Sequence, residues 1–376
     1  MERRKHRPDF SPGDKKMKSP SRVLILTPTA LPDITGNAVT VERWRQGLIR
    51  AGWDVAVAAT RDRNIGELTD LLSRKRPDVL HIHHLVKSGA VLKGGLPGDT
   101  FRNLPVVATP AGTDLNLDVR DTVNRNILAA TCARADIIVF QNQWLAQELI
   151  TLFPFCRTRL RYVPKAFFWL GNRPYDLRRR AGAGPGEILF FLPGGIRPVK
   201  GILEGLRALA EVHRRRPRLR AVFAGPALDR DYSDRFVSEL GGYGDFASWL
   251  PAIDPRAMRR AYQGADVVLN TSLSEGLPNA LLEGIAAGKP LLATDIPGNR
   301  WPVLGANGAR PCGLLFAPRH REDFIAQALR IIDDDMLRAA LARACRERAA
   351  AWPPPEQEIT GLVAAYDQAL AVRSGG

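Results

Sequence analysis

From Arg22 onward the chain alternates short apolar runs with stretches whose apolar residues recur every three to four positions. Val23-Leu24-Ile25-Leu26 leads to a helical pattern over 39–51, then to Val55-Ala56-Val57-Ala58 and a second helical pattern over 65–73. Apolar runs at 79–82, 106–108 and 137–140 follow, with a helix from Trp144. Uninterrupted runs of this length suit strands buried on both faces, and their alternation with amphipathic helices predicts a parallel sheet covered on both sides. The pattern breaks at Gly171-Asn172-Arg173-Pro174 and again at 178–186, where Gly, Pro and Arg replace periodic apolar positions. A second series then has strands at 188–192, 219–224, 267–269 and 291–293, and helices over 201–213, 278–287, 322–333 and 336–348. Beyond Trp352-Pro353-Pro354-Pro355 lies one more amphipathic stretch, 358–371. The expected fold class is α/β, with two Rossmann-like doubly wound domains facing an interdomain cleft. The first covers 22–172, a linker 173–186 and the second 187–355, while 356–376 packs back on the first.

Composition narrows the class without choosing a chemistry. The 376 residues carry 54 Lys plus Arg against 39 Asp plus Glu, a formal net charge of +15, and 45% are hydrophobic. That length asks for two cores, and ordinary apolar content excludes a collagen-like or wholly disordered chain. Cys132, Cys156, Cys312 and Cys345 show no paired spacing, which fits a reducing, cytoplasmic setting. No run of about 18 apolar residues predicts a membrane span. The first 22 residues hold eight Lys or Arg against three Asp or Glu without periodic apolar positions, so 1–21 reads as a disordered basic tail. This charge suits anionic partners, among them an acidic inner membrane face as a peripheral contact. Nucleic acid is not expected, because no stacking aromatics or recognised module accompany the charge.

Several familiar sites are excluded by spacing. Leu26 is followed by Thr27-Pro28-Thr29-Ala30-Leu31-Pro32, and the first glycine after it is Gly36, so the G-x-G-x-x-G turn of a nicotinamide or flavin site is missing. Gly284-Ile285-Ala286-Ala287-Gly288-Lys289-Pro290 is one residue short of a phosphate loop and ends in proline where Ser or Thr would ligate magnesium. It reads as a helix cap leading to a strand. On a strand, His81 and His83 share a face that His84 does not, so no metal site is expected, although a histidine at the strand end can reach a substrate. Lys165-Ala166-Phe167-Phe168-Trp169-Leu170 reads as core packing near the linker, with membrane-surface contact as its alternative.

The most informative segment runs from Asn270 to Glu283: a buried strand, a turn at Gly276, then a helix with Pro278 at its first position. A helix start presents free N–H groups and positive potential, a ready site for an anion, and Glu283 leans back toward it. Glu275 and Glu283, spaced E-x7-E with Glu275-Gly276-Leu277-Pro278 at the head, resemble the signature of the retaining GT-B glycosyltransferases of family 4 and relatives. The resemblance implies that Glu275 acts at the donor sugar and that Glu283 binds the nucleotide ribose. It places the amides of Gly276, Leu277 and Asn279 on sugar and phosphate. Pro193-Gly194-Gly195-Ile196-Arg197-Pro198-Val199-Lys200-Gly201 resembles the family's G-x-x-R…K-G loop, which implies that Arg197 and Lys200 neutralise the donor diphosphate. Gly36-Asn37 resembles the glycine loop that approaches the donor phosphate from the first domain, and Ile253, in Trp249-Leu250-Pro251-Ala252-Ile253, falls where relatives hold the nucleobase. Thr294–Gly298 and Gly313–Phe316 follow the family pattern for architecture. One departure stands out: Ala111 occupies the place of a histidine that in relatives contacts the transferred sugar, leaving Asp114 or Thr113 to supply a polar contact there.

These readings together predict a glycosyltransferase that moves a sugar from a nucleotide-sugar donor to an acceptor on the first domain, with retention implied by the resemblance. No cofactor or metal is expected, because Arg197, Lys200 and the helix end supply positive charge to the leaving diphosphate, which can itself take the acceptor's proton. A retaining glycosidase would need two carboxylates facing across the bond and has no use for a diphosphate loop. The alternatives are a sugar-nucleotide-binding protein impaired in catalysis, suggested by Ala111, and a phosphorylase or epimerase on the same fold.

Overall fold

The computed structural model describes residues 21–93, 99–306 and 308–374. The basic tail expected over 1–21 lies outside them, apart from Ser21. The first sheet is six-stranded and parallel, built from β1 (Arg22–Thr27), β2 (Asp54–Ala59), β3 (Val79–His83), β4 (Val106–Thr109), β5 (Ile137–Phe140) and β6 (Leu160–Tyr162) in the order β2-β1-β3-β4-β5-β6. The second is likewise six-stranded and parallel: β7 (Ile188–Pro193), β8 (Leu219–Ala224), β9 (Ala247–Leu250), β10 (Val267–Asn270), β11 (Leu291–Thr294) and β12 (Gly313–Phe316), ordered β12-β11-β10-β7-β8-β9. In each sheet the order reverses beside the first strand, between β1 and β3 and between β7 and β10. Loops diverge at such points and leave a crevice at the carboxyl ends of the strands.

Helices cover both faces of each sheet. On one side of the first sheet, Val41, Trp44 and Leu48 of helix Gly36–Arg50 share a core with Ile25, Val79 and Val139. Helix Pro355–Ser374 completes that layer with Ile359, Leu362, Tyr366 and Ala369. Pro355 opens this helix instead of preceding it, since a first-turn proline gives up no intrahelical bond. The stretch expected as a linker, 173–186, carries the short helix Leu177–Arg180, and Leu177 is buried in the second core beside Phe191 and Tyr262. Rings of the preceding segment are engaged by the protein: Arg43 lies 4.4 Å over Phe167, Arg50 lies 5.1 Å over Phe168, and Trp169 packs on Tyr262 at 5.8 Å. All three rings are half-buried. All four cysteines are buried free thiols.

Candidate active site

Between the two carboxyl edges lies a cleft of about 590 Å³, within the range that holds a small-molecule substrate. Its second-domain wall begins where β10 ends. Asn270 accepts a hydrogen bond from Ser272 N (2.9 Å) and shapes the turn, and Ser272 Oγ then donates to Glu275 Oε1 at 2.7 Å. Lys200 Nζ reaches the same oxygen at 2.6 Å and Asn270 Nδ2 at 3.3 Å. Burial alone would raise the Glu275 carboxyl, but the Lys200 charge and these hydrogen bonds outweigh it and hold the group below its usual range. Glu275 is therefore an ionised carboxylate in the cleft wall.

The helix after the turn is Asn279–Ala286, one residue later than expected; Pro278 is its cap, with an extended ψ of 118°. Among the described residues, no protein group accepts from the N–H groups of Gly276, Leu277 and Asn279, and all three residues line the cleft. Arg197 and Lys200 line it from the loop after β7, with Arg197 Nε buried and without a protein partner. Lys200, expected with Arg197 at the donor diphosphate, is paired with Glu275 in this structure. Ile253 also lines the cleft.

The first-domain wall differs from expectation in two respects. Gly36 and Asn37 line the cleft, but as the first turn of helix Gly36–Arg50, because Thr35 caps it by accepting from Ala38 N at 3.2 Å. Asp114, expected at the sugar, turns inward and is fully buried. Its carboxylate accepts from the backbone N–H groups of Leu85 (2.9 Å), Ala111 (3.0 Å), Gly112 (2.8 Å) and Leu115 (3.1 Å). It shapes the loop after β4, while Ala111 and Thr113 face the cleft. His83, at the end of β3, lines the cleft too, and burial pushes its pKa well below the usual value, so the ring is neutral.

Thr40, Arg43, Asn116 and Asn142, which bond across the cleft, carried no sequence signal. The two walls meet through first-domain amides: Asn116 Nδ2 donates to Glu275 O (2.9 Å) and Asn142 Nδ2 to Gly276 O (3.2 Å). In the reverse direction Asn279 Nδ2 donates to Gly36 O (3.1 Å) and Thr40 Oγ1 (3.0 Å). Glu283 is buried and accepts from Arg43 Nη2 at 2.7 Å across the cleft. Gly112 and Gly276 touch backbone to backbone, so a Cβ on Gly276 would lie 2.7 Å from Gly112 Cα. Partners 134 to 243 residues apart leave no local pattern to read.

Two doubly wound domains facing each other across one cleft, with an anion-ready helix start and a carboxylate on the second-domain wall, have the arrangement of a GT-B glycosyltransferase. Comparison with known proteins agrees with that class. The model of the family "Glycosyl transferases group 1" matches residues 176–350, and that of "Glycosyltransferase Family 4" matches 63–167. The D-inositol 3-phosphate glycosyltransferase of Nocardia farcinica is 32% identical over 314 residues, covering 78% of this chain and 67% of that protein. The chain belongs to the group 1 glycosyltransferases. Its fold is shared with sucrose-phosphate synthase from Thermosynechococcus elongatus (TM-score 0.76, 16% identity, 94% of this chain and 100% of that one). It is shared equally with Anabaena HepE in complex with UDP and glucose (TM-score 0.74, 16% identity, 92% and 99%).

Proposed function

We propose that this glycosyltransferase takes its sugar from a nucleoside diphosphate donor bound on the second domain and passes it, with retention, to an acceptor on the first. The observation that carries the reading is the ionised Glu275 set between Lys200 and the open N–H groups of Gly276 and Leu277. A departing diphosphate develops negative charge, and fixed donors aimed at that charge lower the barrier. Arg197, Lys200 and the helix start supply them, with Lys200 exchanging Glu275 for a phosphate oxygen. Glu275 then faces the sugar, where positive character grows as the leaving group departs. The acceptor hydroxyl attacks from the side of the leaving diphosphate, which takes its proton; the C–O bond to phosphate breaks as the new glycosidic bond forms on the same face. This scheme needs no metal, because side-chain and backbone charge does the neutralising. HepE, whose complex holds UDP and glucose, supports a nucleotide sugar as donor.

On the acceptor side, Arg61 and Lys87 are exposed, line the first-domain wall and have no ion-pair partner among the described residues. The relative from Nocardia farcinica is named for inositol 3-phosphate. Both support an acceptor bearing an anionic group. A peripheral membrane contact rests on residues 1–20, outside the described residues; among those described, no helix is long and apolar enough to cross a membrane.

The test compares Glu283→Gln and Glu275→Gln by calorimetry with UDP, GDP and ADP and by turnover of their glucose conjugates. Glu283→Gln is expected to weaken nucleotide binding by about tenfold or more, as one charged hydrogen bond of roughly 1.5 to 3 kcal/mol is lost. Glu275→Gln should lower kcat more than it weakens binding. Loss of all nucleotide binding in Glu275→Gln, with Glu283→Gln unaffected, would refute these roles.

A further inference from the structure

Arg43 belongs to no motif, yet it lines the cleft. It lies on helix Gly36–Arg50, is 4% exposed, and lines the same cavity as Glu283. Its Nη2 donates to Glu283 Oε1 at 2.7 Å, and its Cζ lies over the Phe167 ring, 4.4 Å from the centroid. Those two contacts fix its orientation. The remaining nitrogens, Nε and Nη1, are buried without a protein acceptor. A buried N–H left open is costly, so this arrangement favours a ligand that brings oxygen atoms to it.

Complementarity of roles identifies the chemistry of that ligand. A carboxylate only accepts hydrogen bonds and a guanidinium only donates them. Each hydroxyl of a vicinal diol does both, giving its hydrogen to the carboxylate while its oxygen accepts from the guanidinium. A deoxy sugar leaves one partner unpaired, and buried polar sites reject ligands that lack the expected hydroxyl.

We propose that Arg43 and Glu283 together form the subsite for the ribose diol of the donor nucleotide, one half contributed by each domain. This rests on the reading of Glu283 as the ribose carboxylate and adds a first-domain residue to a site otherwise built on the second. Ribose recognition is then complete only when both walls meet, which ties donor discrimination to the closed cleft.

The experiment titrates UDP, GDP and ADP into the full chain by calorimetry and takes the tightest forward with its 2′-deoxy and 3′-deoxy forms. Wild type, Arg43→Gln and Glu283→Gln are compared. Wild type should prefer the ribonucleotide over at least one deoxy form by about 10- to 100-fold, the worth of one charged hydrogen bond. Arg43→Gln should weaken the ribonucleotide by a similar factor and leave the deoxy form nearly unchanged, so that the preference falls to within about threefold. A preference intact in Arg43→Gln but lost in Glu283→Gln overturns this proposal and spares the reading of Glu283. Wild type without any preference, or without affinity for all three nucleotides, overturns both. Should Arg43→Gln fail to fold, Arg43→Lys keeps a cation opposite Glu283 with fewer donors. A reduced preference there supports the subsite, and an unchanged one refutes it.

Discussion

Asp114 and Thr113 are sequence neighbours that face opposite ways. Sequence alone places an acid in the loop after β4 and offers it as a replacement polar contact for the absent histidine. Which way the side chain points is settled by four backbone N–H groups that converge on its carboxylate, and nothing in a short motif announces where those groups will be. The same limit applies at Lys200: charge and spacing identify it as a cleft cation, but its resting partnership with Glu275 depends on how the loop after β7 meets the turn after β10. For Asp114 the structural role has a measurable consequence. Asp114→Asn removes a charge and one acceptor oxygen, and the mismatch should cost about 2–4 kcal/mol of stability. Turnover per folded molecule, measured below the lowered midpoint, should stay within about tenfold of wild type. An unchanged unfolding midpoint with abolished turnover would return Asp114 to the chemistry.

Strand β3 shows what periodicity conveys about an element. Alternation put His81 and His83 on one face, and both rings do lie against Trp44, at centroid distances of 5.1 Å. Burial lowers the His81 pKa to about 3 and that of His83 well below its usual value. The folded protein thus refuses protons that the unfolded chain accepts near pH 6.5. Their neutral burial contributes stability that is whole above about pH 6.5 and is lost as pH falls from there, for His81 down to about pH 3, by up to about 1.4 kcal/mol per pH unit for each ring. Urea unfolding between pH 7 and 5 should show this slope, and His81→Gln, though weaker at pH 7, should lose less across the interval. Equal slopes in the two proteins would contradict it. Central strands were legible because their apolar runs are continuous. The edge strands β6 and β9 were not, since one flank is open and their runs are short and mixed. Helix starts slipped by one to three residues wherever a cap such as Thr35 outranked the first apolar position.

At the scale of the molecule, the two-domain plan was legible from the repeated alternation, and the contacts between the domains were not. Arg43 and Glu283 are 240 residues apart, and only the docking of the two sheets brings them together. One close approach in that docking is glycine on glycine. Gly276→Ala would set a methyl group 2.7 Å from Gly112 Cα and 2.9 Å from Ala111 O, closer than atoms pack, so the walls must part by several tenths of an ångström. A small misplacement of reacting groups is expensive in rate, so kcat/KM should fall by about 10- to 100-fold. The thermal midpoint should hardly move, because neither core is touched. Activity within threefold of wild type would mean that the walls do not need this approach.

Helix Pro355–Ser374 seals the layer that begins with Val23 and Trp44, so a core opened by one end of the chain is closed by the other. During synthesis the first domain cannot finish its packing when its own strands are complete. At about 5–20 residues per second, the 193 residues from Tyr162, the last of β6, to Pro355 take roughly 10 to 40 seconds, and for that time the face carrying Trp44, Ile25 and Val139 waits without its cover. The nascent first half thus exposes an apolar face until that helix arrives, and a ribosome halted before residue 355 would hold it in that state.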